Sequence, residues 1–405
     1  MSTSKIVKSD QVNVARVLQM LREERRCSRT DLVRRTGLSA ATISQITNGL
    51  IGKRLLRSAG TQSAGRGRPV EILEYIAEAR FALGIEVHRE GVYGVKTDLF
   101  AKPIRDHHLG PVASSSEAVI NSIVEWVDEV MADESAADCI GIGIALPGLV
   151  DQRSGEVKFS TEFNLSQVPA VDLLESRLSS RPLATNRTYA AAMAESWLGA
   201  AKEIDHLVYV RLENSLGGAI LIDRLPYWGS NSAAGSIAHI PVQPSGLPCR
   251  CGSSGCLDTV ASGAAIERRA REEIKRGRPS VLLDGPGGLN AVSAERVVRA
   301  AEGGDQVSID VLNETCEWLG IALAGCVNML GPGMIVLGGH LGRIGGDLLA
   351  KLVDDHTRPR VYAMSQHDYQ VACTTVGQDA VACGAAATAL LATISQSVSL
   401  HSPLG

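Results

Sequence analysis

Three cysteines fall within eight residues, in the stretch Pro248-Cys249-Arg250-Cys251-Gly252-Ser253-Ser254-Gly255-Cys256. The glycines at 252 and 255 permit a tight wrap, so the C-x-C-x4-C spacing presents three thiolates to one point. His239, a short distance upstream, supplies a fourth ligand. One imidazole and three thiolates make a closed tetrahedral zinc site. With no open position for water, such a site staples a loop and hydrolyses nothing. The competing reading is three buried or disulfide-linked cysteines. The other six of the nine cysteines are scattered through apolar segments, as small buried hydrophobes are in a reducing compartment.

Charge is distributed unevenly. The net charge is −4 over 405 residues, yet residues 1–69 hold 14 Lys or Arg against 4 Asp or Glu. A basic head on an acidic body points to a polyanionic partner for the head, or to a basic surface facing only solvent. Hydrophobic residues make up 45% and charged residues 21% of the chain. No run of eighteen apolar residues occurs, and MSTSKIVKSD carries no apolar core behind its charges, which argues against a membrane span and a secretory signal. The expectation is a cytoplasmic protein of two or three folding units.

The head reads as three helices and a flap. Val12, Val14, Val17, Leu18 and Leu21 mark an apolar face across 10–24. Ser28, with Asp31 three residues on, opens a short helix that ends at Gly37, and Ser39 caps the next, whose core positions are Ile43, Ile46 and Leu50. That is a helix-turn-helix. Ala40, Ala41, Thr42, Ser44, Gln45 and Asn48 avoid the apolar face; small and amide side chains let a helix sit in the major groove while Gln45 bonds a base edge. Beyond it, residues 58–69 form a glycine-rich loop between two apolar stretches, the pattern of a wing. Arg66 and Arg68, flanked by glycine, suit a narrow minor groove. Arg29, Thr30 and Arg35, with Arg34, Lys53, Arg54 and Arg57, would meet phosphates. The partner is double-stranded DNA, read as a palindromic operator by a two-fold symmetric protein.

Beyond residue 80 the texture changes. Phe81–Val87 and Val92–Thr97 read as a hairpin, Ser115–Met131 as an amphipathic helix, and Cys139–Ala145 as a buried strand. Tyr189–Ala200 and Val311–Leu330 read as helices; His206–Leu212, Ala219–Ile222 and Met334–Leu337 read as strands. Alternating strands and helices indicate an α/β body.

Together these residues resemble the ROK family (repressors, open reading frames, kinases), from about Asp10 to the C-terminus. The resemblance is carried by Arg29–Leu50, Gly65–Pro69, Gly141–Gly143 with Pro147-Gly148, Ala234–His239, Cys249–Cys256 and Val336–Gly339. It implies a winged helix-turn-helix (1–75) followed by an actin-like, ribonuclease-H-like sugar-kinase body. The first lobe would span 76–200 and be completed by a helix at about 378–396; the second, 201–377, would hold the His239, Cys249, Cys251 and Cys256 zinc site. It further implies a homodimer or homotetramer and a sugar-responsive repressor of carbohydrate-related genes.

The kinase chemistry does not carry over. The first phosphate loop falls on Glu86–Gly91 and the second on Glu213–Gly217, where a carboxylate stands against ATP. The general-base aspartate is replaced by Arg187, which cannot accept a proton. No catalytic residues are therefore expected. The sugar-holding set, the expected effector site, becomes Asn164, Asn186, Arg187, Ser236, His239 and Asp258, with Ser236 where the family has glutamate. Two readings follow. Arg187 holds an anionic effector such as a sugar phosphate, or it pairs with a neighbouring acid while the body serves only as dimer scaffold or docking surface.

Overall fold

A computed structural model of the chain describes residues 3–62, 69–88, 91–109, 116–132, 134–160, 163 and 165–397. Two compact units are present: residues 1–197 with 378–405, and residues 198–377.

The first unit opens with α1 (Thr3–Glu24), β1 (Arg26–Ser28), α2 (Arg29–Thr36), α3 (Ala40–Gly52), β2 (Leu56–Gln62) and β3 (Val70–Tyr75). β3 runs antiparallel between β1 and β2. Val14, Val17, Leu18 and Leu21 of α1 are buried with Leu32, Ile43, Ile46, Leu50, Leu55, Leu56 and Leu73. The spacing of three and four that marks α1 thus becomes one face of a small core.

There follow β4 (Phe81–His88), β5 (Gly91–Thr97), β6 (Pro103–Leu109), α4 (Ser116–Ala132), β7 (Cys139–Leu146), β8 (Leu149–Val150), β9 (Val157–Ser160), β10 (Leu165–Val168), α5 (Ala170–Glu175), β11 (Leu183–Asn186) and α6 (Arg187–Leu198). The main sheet has the order β11-β7-β4-β5-β6, with β11, β7 and β4 parallel and β5 and β6 antiparallel. Alternate residues of β4 and β7, including Leu83, Ile85, Ile142 and Ile144, share a core with Ile123, Trp126, Val127 and Val130 of α4. β6 lacked a sequence signal, because its polar run Arg105-Asp106-His107-His108 reads as loop and is tolerated only on an edge.

The second unit contains β12 (Leu207–Leu212), β13 (Leu216–Ile222), β14 (Leu225–Pro226), α7 (Asp258–Ala261), α8 (Gly263–Lys275), α9 (Ala294–Glu302), α10 (Gln306–Leu330), β15 (Met334–Gly338), α11 (Gly339–Thr357) and β16 (Gln370–Cys373). Its sheet order, β14-β13-β12-β15-β16, repeats the plan of the first: a parallel trio extended by an antiparallel pair. The strands bury Val208, Val210, Ile335 and Leu337 against Leu319, Leu323 and Val327 of α10. The chain then returns to the first unit as α12 (Ala380–Ser397), which packs on β4 and β7.

Candidate DNA interface and metal cluster

α2 and α3 are delimited by the residues the sequence points to. Ser28 Oγ accepts the Asp31 N–H at 3.1 Å while Ser28 N–H donates to Asp31 Oδ2 at 3.2 Å, so two otherwise orphaned amides are satisfied. The Ser28 hydroxyl, which donates to Asp31 Oδ2 at 2.6 Å, and then the Ser28 N–H hold the Asp31 carboxyl below the usual carboxylate range. Gly37 ends α2 at φ 70°, and Ser39 Oγ accepts the Thr42 N–H at 3.1 Å. α3 buries Ile43, Ile46, Thr47 and Leu50 and exposes Ala40, Ala41, Gln45 and Asn48; Thr42 and Ser44 are half-buried, and Thr30 on α2 is exposed. β2 and β3 are the two strands of the wing. Arg66 and Arg68, which fall between them in the sequence, lie outside the described residues.

The basic side chains of the head stand among acids. Arg35 pairs with Glu24 and with Glu23, Arg34 with Asp31, and both Arg26 and Arg57 with Glu74. Arg26 and Arg57 hold the Glu74 carboxyl below its ordinary range. Water screens such exposed pairs, so a phosphate can displace the acid at little cost. Arg29 differs. Its guanidinium is half-buried and bonds Thr47 Oγ1 at 3.0 Å, Asn48 Oδ1 at 3.1 Å and the Glu71 carboxylate. Besides the phosphate contact expected of it, it ties α2 to α3 and to the wing strand β3. The charge count over residues 1–69 missed this because Glu71 and Glu74 lie just beyond that boundary.

The head is also fastened to its own unit by contacts without a local sequence signal. The Arg22 guanidinium lies 3.6 Å from the centre of the Trp197 ring at the end of α6. Arg25 stands 5.4 Å from the Phe100 ring, which meets Tyr75 edge-on at 5.4 Å. The Leu99 N–H donates to Ala77 C=O at 3.0 Å, and α1 packs along α12.

In the second unit, ligand atoms of His239, Cys249, Cys251 and Cys256 all lie within 4.8 Å of one another. Cys251 Sγ is 3.7 Å from Cys256 Sγ, and Cys249 Sγ is 3.7 Å from His239 Nδ1. Tetrahedral coordination with metal–sulfur bonds of about 2.3 Å places sulfurs about 3.8 Å apart. The loop is shaped to reach this: Cys249 N–H donates to Ser253 C=O at 2.7 Å, and Gly252 N–H to Cys249 C=O at 3.0 Å. Gly255 has φ 68°, and a Cβ there would lie 1.8 Å from the Gln243 carbonyl oxygen, so no other residue fits. Burial, then the neighbouring thiols, push the Cys256 thiol up to about 12, while a Ser253 N–H bond lowers that of Cys251. Three thiols this close share negative charge only against a cation. The donor set fits a four-coordinate metal ion.

The kinase-like positions are occupied by internal bonds. Asn186 ends β11; its Oδ1 accepts the Thr188 N–H at 2.8 Å and its Nδ2 donates to the Gly148 carbonyl. Arg187 is buried, and its Nε donates to Glu86 Oε1 at 2.9 Å. The residue in the general-base position and the acid in the first phosphate loop are therefore each other's partner. In the second unit Glu213 pairs with Arg211, Ser236 Oγ donates to Ala233 C=O at 2.6 Å, and Asp258 Oδ1 accepts the Leu216 N–H at 2.7 Å. His239 belongs to the metal cluster. Asn164 lies outside the described residues. Among the described residues no helix is long and apolar enough to cross a membrane.

Comparison with known proteins agrees with this architecture. The ROK family model matches residues 83–392, and the IclR helix-turn-helix domain model matches residues 12–60. The chain is 27% identical over 338 residues to the DNA-binding transcriptional dual regulator NagC of Escherichia coli strain K12, covering 82% of this chain and 81% of that one. It is 31% identical over 282 residues to a glucokinase of Thermotoga maritima, covering 68% and 86%. A solved ROK family transcriptional regulator, described as a homolog of the E. coli MLC protein, superposes with a TM-score of 0.81 at 25% identity over 97% of this chain and 98% of that one. The chain belongs to the ROK family, as a transcriptional regulator that joins a helix-turn-helix head to a sugar-kinase-like, actin-type body.

Proposed function

We propose that this protein binds palindromic operator DNA in the cytoplasm as a homodimer and represses genes of carbohydrate use. α3 enters the major groove through Ala40, Ala41, Thr42, Ser44, Gln45 and Asn48. Arg66 and Arg68 of the wing enter the minor groove, and Thr30 and Arg35 contact phosphates. One observation carries the reading. A capped helix-turn-helix shares a compact unit with a kinase-like lobe whose general-base position holds Arg187, paired with Glu86. An arginine cannot take the proton of a sugar hydroxyl, so the body regulates and does not phosphorylate.

His239, Cys249, Cys251 and Cys256 would hold one structural zinc ion, closing the 239–256 loop without an open coordination site. Support for a dimer comes from an exposed apolar patch on the second unit. Met329 of α10 is 84% exposed, and Tyr362 and Met364 of the facing segment are 67% and 77% exposed. The Tyr362 N–H donates to Asn328 Oδ1 at 2.9 Å, which fixes the two segments together. Single exposed apolar residues are ordinary; Met329 beside the Tyr362–Met364 segment favours an interface there.

The relatives named as kinase and regulator favour a sugar as effector. The Glu86 partner favours a structural role for Arg187 over capture of a sugar phosphate. The engaged states of Ser236 and Asp258 also support a second reading, in which the body no longer senses a small molecule and serves as dimer scaffold or docking surface. Mapping bound sites across the genome, followed by operator titration with and without sugars and sugar phosphates, separates the two. Absence of salt-sensitive binding to any genomic duplex would reject both.

A further inference from the structure

Asn48 projects from the exposed face of α3, two positions along from the buried Ile46 and beside the buried Thr47. Its side-chain amide has one acceptor atom and one donor atom, and which of them faces the groove decides which base it reads. The neighbouring contact settles the orientation. Arg29 Nη2 lies 3.1 Å from Asn48 Oδ1. A guanidinium only donates, so the Asn48 atom turned toward it must be the oxygen. Arg29 is itself held in place by Thr47 Oγ1 at 3.0 Å and by the Glu71 carboxylate on β3. The oxygen is engaged inside the domain, and the Nδ2 group, with two N–H donors, is turned away from Arg29.

From this geometry we infer that Asn48 reads guanine, and that Arg29 is a positioning residue that enforces the choice by holding the amide oxygen. The inference rests on the DNA-reading function proposed above. An asparagine that reads adenine uses both ends of its amide, accepting from N6 and donating to N7. Here the oxygen is turned toward Arg29, so the end of the amide left to face a base is the donating one. The major-groove edge of guanine offers N7 and O6, two acceptors and no donor, which suits an amide presenting donors. The arginine expected to touch phosphate thus also contributes to sequence choice.

The test uses the full chain. Duplexes are selected from a pool with randomised half-sites at fixed salt. The enriched sequence is then measured by fluorescence anisotropy with each base pair at every position. The expected result is one symmetry-related pair of positions preferring guanine over adenine by about tenfold, the discrimination of one good base contact. Asn48→Ala should flatten that position and no other. Asn48→Asp, which can only accept, should move the preference to cytosine and its N4 donor. Arg29→Lys, also purely a donor, should keep guanine, whereas Arg29→Ala frees the amide and brings adenine level with guanine. The proposal is overturned if Asn48→Ala flattens no position, if the position it controls carries adenine in the wild type, or if folded Arg29→Ala leaves the guanine-to-adenine ratio unchanged. Should Arg29→Ala not fold, Asn48→Asp decides alone: cytosine supports the inference, retained guanine overturns it. A wild-type protein that enriches no duplex would sink the DNA-reading function itself, and the inference with it.

Discussion

Replacing Arg187 by alanine should damage stability far more than its distance from the DNA-reading head suggests. Arg187 and Glu86 side chains are only 10% and 9% exposed, and they meet at 2.9 Å across 101 residues of chain. Removing the arginine leaves a carboxylate in a site shielded from water, a change that costs about 3–5 kcal/mol. At roughly 2–4 °C per kcal/mol for a unit of this size, the transition of the first unit should fall by about 10 °C. Glu86→Ala should also destabilise, because Arg187 Nε loses the carboxylate it donates to. The double variant Glu86→Ala/Arg187→Ala should lose less than the sum of the two single losses, since the Glu86 carboxylate is no longer left buried without Arg187. The interaction energy from the cycle should therefore reach about 2 kcal/mol or more. Urea melts of all four proteins, fitted with separate transitions for the two units, read it directly. Two single losses that add within about 0.5 kcal/mol would refute the coupling. Arg187 would then be available to hold an anionic effector.

Cys256→Ser should abolish stoichiometric metal on elemental analysis, and a strong chelator should lower the melting temperature of the wild type but not of that variant. Arg35→Ala should weaken binding to all duplexes alike and reduce the slope of log affinity against log salt by about one, measured by anisotropy titration. Met329→Asp with Met364→Asp should shift the mass measured by light scattering from dimer to monomer, and should weaken operator binding by removing the second half-site contact.

Much of the head was legible because its signals are local. Helix caps act within three residues, so Ser28, Asp31, Gly37 and Ser39 announce α2 and α3 without any tertiary context. The metal cluster was legible for a similar reason, since three of its four ligands fall within eight residues. What escaped the sequence was every pairing made across the fold. Arg29 reads as one more phosphate-binding arginine until β3 brings Glu71 beside it, 42 residues away. Arg187 was open to two readings because its acid lies on β4, 101 residues away and in a stretch read for a different chemistry. The strand β1 is three residues long and exists only because β3 supplies its partner, and β6 survives its charges only as an edge.

Glycines separate what this chain has kept from what it has given up. The glycines that would cradle phosphate are largely replaced in the Glu86–Gly91 stretch, yet those that let α12 lie on the sheet remain. A Cβ at Gly84 would fall 2.0 Å from the Ala382 carbonyl oxygen, and one at Gly143 would fall 2.0 Å from that of Ala385. Across α12, a Cβ at Gly384 would fall 1.7 Å from the Ala190 carbonyl oxygen on α6. These obstacles are backbone atoms, which cannot swing aside as a side chain does. Gly143→Ala must therefore push α12 off β7 by about an ångström, at an overpacking cost of at least about 1–3 kcal/mol. Because α12 also rests on β4, α6 and α1, the displacement reaches the surface that carries the DNA-reading head. The expected outcome is a lower melting temperature for the first unit together with weaker operator binding, while the melt of the second unit is unchanged. An unchanged melt for Gly143→Ala would mean that α12 has room to move, and that its close seat on the sheet is not what holds the unit together.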